Sequence, residues 1–301
     1  MPTRATAGTA RRVIFVTTLA TCLCGCTPLS SGFLHPAGPV ASAQRDLFFW
    51  IAGVSMVVVL PVLILTPWLL WRYRYGQQEA TYRPHWELSL PFEILSWGVP
   101  VLVVIGLGAL TWTRTHQLDP YRPLADSRSS LEVQVIALDW KWLFIYPEQG
   151  VATVNELVIP SGRSVHLSLT SGTVMQSMMI PRLAGQIYAM AGMRTQQYLQ
   201  ADVAGEFTGR NTQFNGIGFQ QQSFITRSLG PEAFEQWLDT THQANATLDC
   251  ASYLHLSQSP SQVPPSVYRS VQPGLFEWVM HAFHGSSPTA CDSPTPGKSN
   301  E

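Results

Sequence analysis

The sequence predicts a two-helix transmembrane hairpin followed by an all-β sandwich with short C-terminal helices. Three observations carry that expectation. Two long runs without a charged residue occupy residues 47–71 and 94–113. After residue 130 the pattern changes to alternation with a period of two, broken at short intervals by Gly, Pro and Ser. Only 12% of the 301 residues are Asp, Glu, Lys or Arg, about half the usual share in a soluble globular protein. The mean hydropathy of +0.07 is nevertheless too low for a chain that is membrane throughout. Apolar spans joined to a water-facing domain satisfy both numbers. A formal net charge of −1 supplies no attraction to nucleic acid, so none is expected as a partner.

The first element is an address. Arg4, Arg11 and Arg12 precede an uncharged run over residues 13–20, a basic n-region and an apolar h-region too short to cross a bilayer. The run leads into Leu23-Cys24-Gly25-Cys26, which resembles a bacterial lipobox, with Leu three places before the Cys that receives lipid. Residues 1–25 are therefore expected to be a lipoprotein signal peptide, Cys26 the lipidated first residue, and 26–45 an exported segment.

Transmembrane helices are expected over 46–72 and 92–113, since about 20 apolar residues cross the hydrocarbon core. Pro61, Pro67 and Pro100 fall inside them and are tolerated in membrane spans. Trp50, Trp68, Trp71, Trp97 and Trp112 lie near the ends, where amphipathic rings prefer the interface. The loop at 73–91 and the residue before it supply Arg72, Arg74 and Arg83, which assigns the loop to the cytoplasm by the positive-inside rule. Both termini then lie outside, in agreement with lipid at Cys26.

Residues 114–130 read as a linker containing Asp119-Pro120-Tyr121-Arg122-Pro123. Leu131, Val133, Val135 and Ala137 then alternate with Glu132, Gln134 and Ile136, as a half-buried strand would. Strand-like runs follow at 142–146, 156–159, 165–170, 196–201 and 223–226. Short strands so spaced suggest an antiparallel sandwich or barrel over 131–228. Residues 229–284 read as a helical extension: Pro231 can start a helix, Phe234, Trp237 and Leu238 share one face, and 275–283 is amphipathic. The tail, 285–301, is expected to be disordered. Cys250 and Cys291 can pair in an oxidising compartment or stay as separate thiols.

Asp139-Trp140-Lys141-Trp142, then Phe144-Ile145-Tyr146-Pro147-Glu148-Gln149-Gly150, Ala152-Thr153-Val154-Asn155-Glu156 and residues 186–193 resemble subunit II of the haem-copper terminal oxidases, in the bo-type ubiquinol oxidase branch. The resemblance implies that the sandwich is a cupredoxin. It also implies a chain that is itself non-catalytic but belongs to a proton-pumping quinol:oxygen oxidoreductase in the bacterial inner membrane. Subunit I would then carry the haems, the copper at the oxygen site and the quinol pocket, with subunits III and IV as further partners.

In the cytochrome c oxidase branch of that family, a His and a Cys-x-x-x-Cys-x-x-x-His-x-x-Met loop, with a Glu between the cysteines, hold two copper ions. Soft bridging thiolates and imidazoles suit that centre. Aligned on the resemblance, the first His position holds Gln176, Asn211 and Asn215 replace the cysteines, Gln213 replaces Glu, Phe219 replaces His and Gln222 replaces Met. Neither thiolate nor imidazole remains, so no cofactor is expected in this chain. Electrons would then enter from a membrane quinol that reaches subunit I directly. The competing readings are a copper-bearing electron-entry subunit and a free-standing membrane lipoprotein.

Other signals weigh less. His281-x-x-His284 has no third ligand nearby. Met175, Met178, Met179, Met190 and Met193 read as packing, since Met fills irregular gaps. Asn245-Ala246-Thr247 fits a glycosylation sequon, incidental beside a bacterial lipobox. Glu93, at the cytoplasmic end of the second span, matches the family segment whose Glu lies at the mouth of a proton path, so it is the expected proton-entry residue. A cap that complements the helix dipole is the plainer role for it.

Processing at Cys26 has a direct check. Cys26→Ala should abolish lipid attachment, while the two spans keep the chain in the membrane fraction. Mass spectrometry that finds Met1 intact, or Cys26 unmodified, in the native chain contradicts the assignment.

Overall fold

The computed structural model describes residues 32–74, 89–124, 129–259 and 263–283. The signal sequence, Cys26, most of the loop between the spans, His284 and the tail with Cys291 lie outside the described residues.

Two sheets face each other. The larger contains β1 (Leu131–Leu138), β2 (Lys141–Tyr146), β3 (Val151–Val154), β5 (Ser164–Ser171), β8 (Thr195–Gln200) and β12 (Ser266–Tyr268), in the order β12-β3-β2-β1-β5-β8. The smaller contains β4 (Glu156–Pro160), β6 (Gln176–Ile180), β7 (Ala184–Ala189), β9 (Gly205–Asn211) and β10 (Ser223–Leu229), in the order β4-β10-β9-β6-β7. This is the expected sandwich, but it is not purely antiparallel: β1 and β5 run parallel, and so do β4 and β10. The chain changes sheets between β3 and β4, so sheet neighbours come from distant segments. Asn155 makes that change in a left-handed conformation, φ 56°. Its Oδ1 accepts from Trp142 N at 2.9 Å, and short polar side chains of this kind tolerate that backbone region.

The inner faces share one core. Val133 and Val135 of β1, Trp142 and Phe144 of β2, Leu167 of β5 and Phe224 of β10 are all in it. Tyr146 crosses to the other sheet: its hydroxyl donates to Val158 O at 2.9 Å and accepts from Val158 N at 2.8 Å.

The outer face of the larger sheet is covered as well. Ile136, Leu143, Ile145 and Val154 pack beneath Tyr253, Leu256 and Phe276 in a second core. The covering segment contains β11 (Thr247–Leu248), α4 (Cys250–Gln258), β13 (Ser270–Val271) and α5 (Leu275–Ala282). It follows α3 (Pro231–His242), which buries Phe234 and Leu238 as its spacing predicts. Burying each large apolar side chain stabilises by about 1.5–3 kcal/mol. With both faces covered, all six residues of β2 are buried, Lys141 among them. Lys141 Nζ donates to Leu256 O at 2.8 Å and Ser259 O at 2.6 Å, pinning α4 to the sheet. Burial lowers its pKa from 10.5, and Asp139 partly opposes that shift. Cys250, at the start of α4, is disulfide-bonded.

The N-terminal helices are α1 (Pro39–Arg72) and α2 (Leu90–Gln117). The apolar window of each has no buried residue within this chain. Both helices run beyond the apolar stretches, α1 starting at Pro39 and α2 ending at Gln117. These extra turns carry Arg45, Asp46 and His116, and they meet the sandwich. Gly38 sits so close to β8 that a Cβ would lie 2.0 Å from Gln200 O. Ala37 N donates to Arg182 O at 2.8 Å, and Asp202 N donates to Ala37 O at 2.8 Å. Beyond α2, Pro120 O accepts from Tyr198 N at 3.0 Å. The outer ends of both helices are thereby tied to β8.

Candidate functional site at the loop end of the sandwich

Four connections meet where β1 turns into β2. Gln176 Nε2, at the start of β6, donates to Leu138 O at 3.1 Å and to Thr173 Oγ1 at 3.2 Å. Thr212 N, just after β9, donates to Ser177 O at 2.9 Å. Ser171 N, at the end of β5, donates to Met190 O in the β7–β8 connection at 3.4 Å. The β9–β10 connection, residues 212–222, folds over this end and contains a 3-10 turn at Phe219–Gln221.

Gln222 is the centre of the site, with 1% of its surface exposed. Its Nε2 donates to Leu138 O at 3.2 Å and, by a short contact, to Gln176 Oε1. Its Oε1 accepts from Asn211 Nδ2 at 2.9 Å and from Asn215 Nδ2 at 2.8 Å. Asn211 Oδ1 accepts from Ser177 N and Gln213 N, each at 3.0 Å. Four carboxamides on β6, β9 and the connecting loop thus form one buried network. Asn215 Oδ1 has no donor among the described residues.

Of the six positions singled out by sequence, Gln176, Asn211, Asn215 and Gln222 come together. Gln213 joins through its backbone N–H. Phe219 packs edge-on against Phe214, with ring centroids 5.6 Å apart. The donor set does not fit a dinuclear copper centre: it offers neutral amides, engaged with one another, where such a centre needs thiolates and imidazoles. Among the described residues, no three His, Cys, Asp or Glu side chains gather in a metal-binding group.

Trp140 is also a member of this site. It occupies the β1–β2 turn with φ 60°, and its ring lies flat enough on Gly218 that a Cβ there would come within 2.2 Å of it. The Gly216-Ile217-Gly218 spacing was the available signal, since glycine marks close approach. The turn holds Ile217 98% and Phe214 72% exposed. Val174, Met175 and Met193, on the neighbouring connections, are exposed as well. One end of the sandwich therefore presents several exposed apolar side chains around a polar network.

Glu93 lies in the first turn of α2 and is exposed. Its backbone N–H donates to Ser89 O at 2.9 Å, and its carbonyl accepts from Ser96 Oγ at 3.2 Å. Cys26 lies outside the described residues. Phe33, a few residues downstream, packs edge-on against Phe48 of α1, with ring centroids 5.4 Å apart.

Residues 242–286 match the family model "COX Aromatic Rich Motif". The chain is 41% identical over 252 residues to the cytochrome bo(3) ubiquinol oxidase subunit 2 of Pseudomonas putida, covering 84% of this chain and 80% of the relative. It is 38% identical over 253 residues to the ubiquinol oxidase subunit 2 of Acetobacter aceti, covering 83% of this chain and 82% of the relative. The chain belongs to the quinol oxidase subunit 2 family. As a member of that family with two apolar helices, it is a two-span inner-membrane subunit of an oxidoreductase complex. Among solved structures, the periplasmic domain of subunit II of cytochrome oxidase from Bradyrhizobium japonicum is similar at a TM-score of 0.36 and 19% identity, covering 38% of this chain and 94% of that one. In this quinol oxidase subunit, the aromatic-rich motif is the segment that covers the outer face of the larger sheet. Tyr253, Tyr268, Phe276 and Trp278 are the aromatic residues it places there.

Gln222→Leu removes the central amide and leaves buried partners unpaired on three segments. It should lower the stability of the full-length chain by about 1–3 kcal/mol, read as a drop in the melting midpoint. An unchanged midpoint contradicts the network's role.

Proposed function

We propose that this chain is the copper-free second subunit of a quinol oxidase, which holds the catalytic subunit in working form and leaves electron entry to it. The carboxamide network carries this reading, because every position that would supply a thiolate or imidazole is occupied by an amide or by Phe219. Quinol is then oxidised in subunit I, which bears the haems and the oxygen-site copper, and subunits III and IV complete the proton pump. The apolar surface at Val174, Met175, Met193, Phe214 and Ile217 supports a docking role, since patches of this kind mark interaction sites. The wholly unburied apolar faces of α1 and α2 are consistent with spans packed against lipid and subunit I.

The orientation follows the same reading: sandwich and both termini in the periplasm, the loop between the spans in the cytoplasm. The disulfide at Cys250 supports it, because such bonds persist in exported domains, and Cys291 is the partner we assign. Lipid at Cys26 also accords with Phe33, which brings the chain back to the outer end of α1. Glu93 would sit at the cytoplasmic surface. An exposed carboxylate at the edge of a span is costly against lipid, which favours a place beside subunit I and a part in proton entry.

A tag on this chain should recover haem in fixed ratio to it from mild detergent extracts, with oxygen consumption driven by quinol and not by reduced cytochrome c. Ile217→Asp should reduce the recovered haem by about tenfold, because burying an unpaired carboxylate costs several kcal/mol. A chain recovered without haem is a free-standing lipoprotein, and one supported by cytochrome c is an electron-entry subunit. In the assembled enzyme, Glu93→Gln should slow turnover at unchanged haem content; unchanged turnover reduces Glu93 to a helix cap.

A further inference from the structure

A cavity of about 450 Å³ lies where the outer ends of both spans meet the sandwich. Gln44 on α1, Gln117 at the end of α2, Asp119 and Arg122 in the linker, and Gln197 and Tyr198 on β8 supply its polar lining. Val40, Leu118 and Leu124 supply apolar lining. Its depth relative to the membrane follows from helix geometry. Gln44 precedes the start of the first uncharged run, at Leu47, by three residues, and Gln117 follows the end of the second, at Thr113, by four. At 1.5 Å per residue those positions stand about 4.5–6 Å beyond the hydrocarbon edge. The headgroup layer of one leaflet is about 5–7 Å thick. The cavity therefore opens within the headgroup layer.

Its walls are fixed and its charges are not used up. Tyr198 is held by the bond from its N–H to Pro120 O and by stacking on His166, ring centroids 4.4 Å apart. Gln197 Nε2 donates to Gly185 O at 3.1 Å. Asp119 Oδ1 accepts from Tyr121 N at 3.0 Å, and its second oxygen has no partner among the described residues. The Arg122 guanidinium, exposed at the rim, likewise has no hydrogen bond or ion pair among the described residues. One cation, one carboxylate and several carboxamides thus line a cavity with apolar walls. An Arg fork binds phosphate oxygens in a bidentate manner, and a carboxylate pairs with an ammonium.

We infer that this cavity binds the headgroup of a zwitterionic aminophospholipid, with its phosphodiester on Arg122 and its ammonium on Asp119. Glycerol and the first acyl carbons lie along Val40, Leu118 and Leu124. A lipid held there joins the two spans and β8 at the membrane surface. Free phosphate shares the anionic chemistry but has no use for Asp119 or the apolar wall.

The test uses the intact oxidase complex, delipidated in detergent and titrated with short-chain phosphatidylethanolamine, phosphatidylglycerol or inorganic phosphate, with bound ligand counted by native mass spectrometry. Phosphatidylethanolamine should bind the unmodified complex, and Arg122→Glu should weaken that binding by about tenfold or more, the loss expected for a charge-assisted pair. Arg210→Glu, which makes the same change of charge on β9, should leave it unchanged. Asp119→Asn should remove the preference for phosphatidylethanolamine over phosphatidylglycerol, and it serves as the test if Arg122→Glu fails to assemble. Equal binding in the unmodified, Arg122 and Asp119 complexes overturns the proposal. So does displacement of the lipid by inorganic phosphate at matched concentration, or an unmodified complex that binds no lipid because a neighbouring subunit fills the cavity.

Discussion

A carboxamide can be buried at little cost only when its two donors and its acceptor are all engaged, and Gln222 meets that condition. Its side chain reaches β1 through Leu138 O, β6 through Gln176, β9 through Asn211 and its own loop through Asn215. Three segments far apart in sequence (β1, β6 and the end of β9 with its loop) are thereby held at one end of the sandwich. The order of the loop above follows from this, and so does the presentation of Phe214 and Ile217. A site of this design transmits shape. Its amide side chains have no redox states to offer, and most of their polar atoms are engaged with one another or with the backbone.

The rest of the fold supports that end from behind. The larger sheet is covered on both faces, by the smaller sheet inside and by the aromatic-rich segment outside. Lys141 fastens the outer cover through two backbone carbonyls. The chain leading into α1 is bonded to the β6–β7 turn and to the residue pair that follows β8, and the chain leaving α2 is bonded to Tyr198 of β8. The hairpin of apolar helices and the sandwich are therefore linked through β8 as well as through the chain itself.

How much of this was legible depended on whether one face or two were buried. β1 begins with clean alternation, and the sequence reveals it. In β2, Lys141 to Tyr146, both faces are buried, so no period of two survives and the run reads only as apolar. Lys141 was illegible for the same reason: a lysine is expected at the surface, and only the fold shows two carbonyls converging on it. α4 falls inside the stretch expected to be helical, but its bounds were not legible, because its N-cap Asp249 is an ordinary polar residue until the helix is in view. The parallel pairings were hidden too, since they depend on where the chain changes sheets. The four carboxamides were found through family resemblance, because Gln and Asn in loops are ordinary by composition. Only the structure shows the ring of Trp140 seated on Gly218.

The account rests on the claim that the loop end of the sandwich is closed by amides and supplies no copper site. Its most direct test is to load the purified full-length chain with copper, remove unbound metal, and measure copper content together with visible absorption. The account predicts no stoichiometric copper and no thiolate-to-copper absorption. Two copper ions per chain with intense visible bands would contradict it.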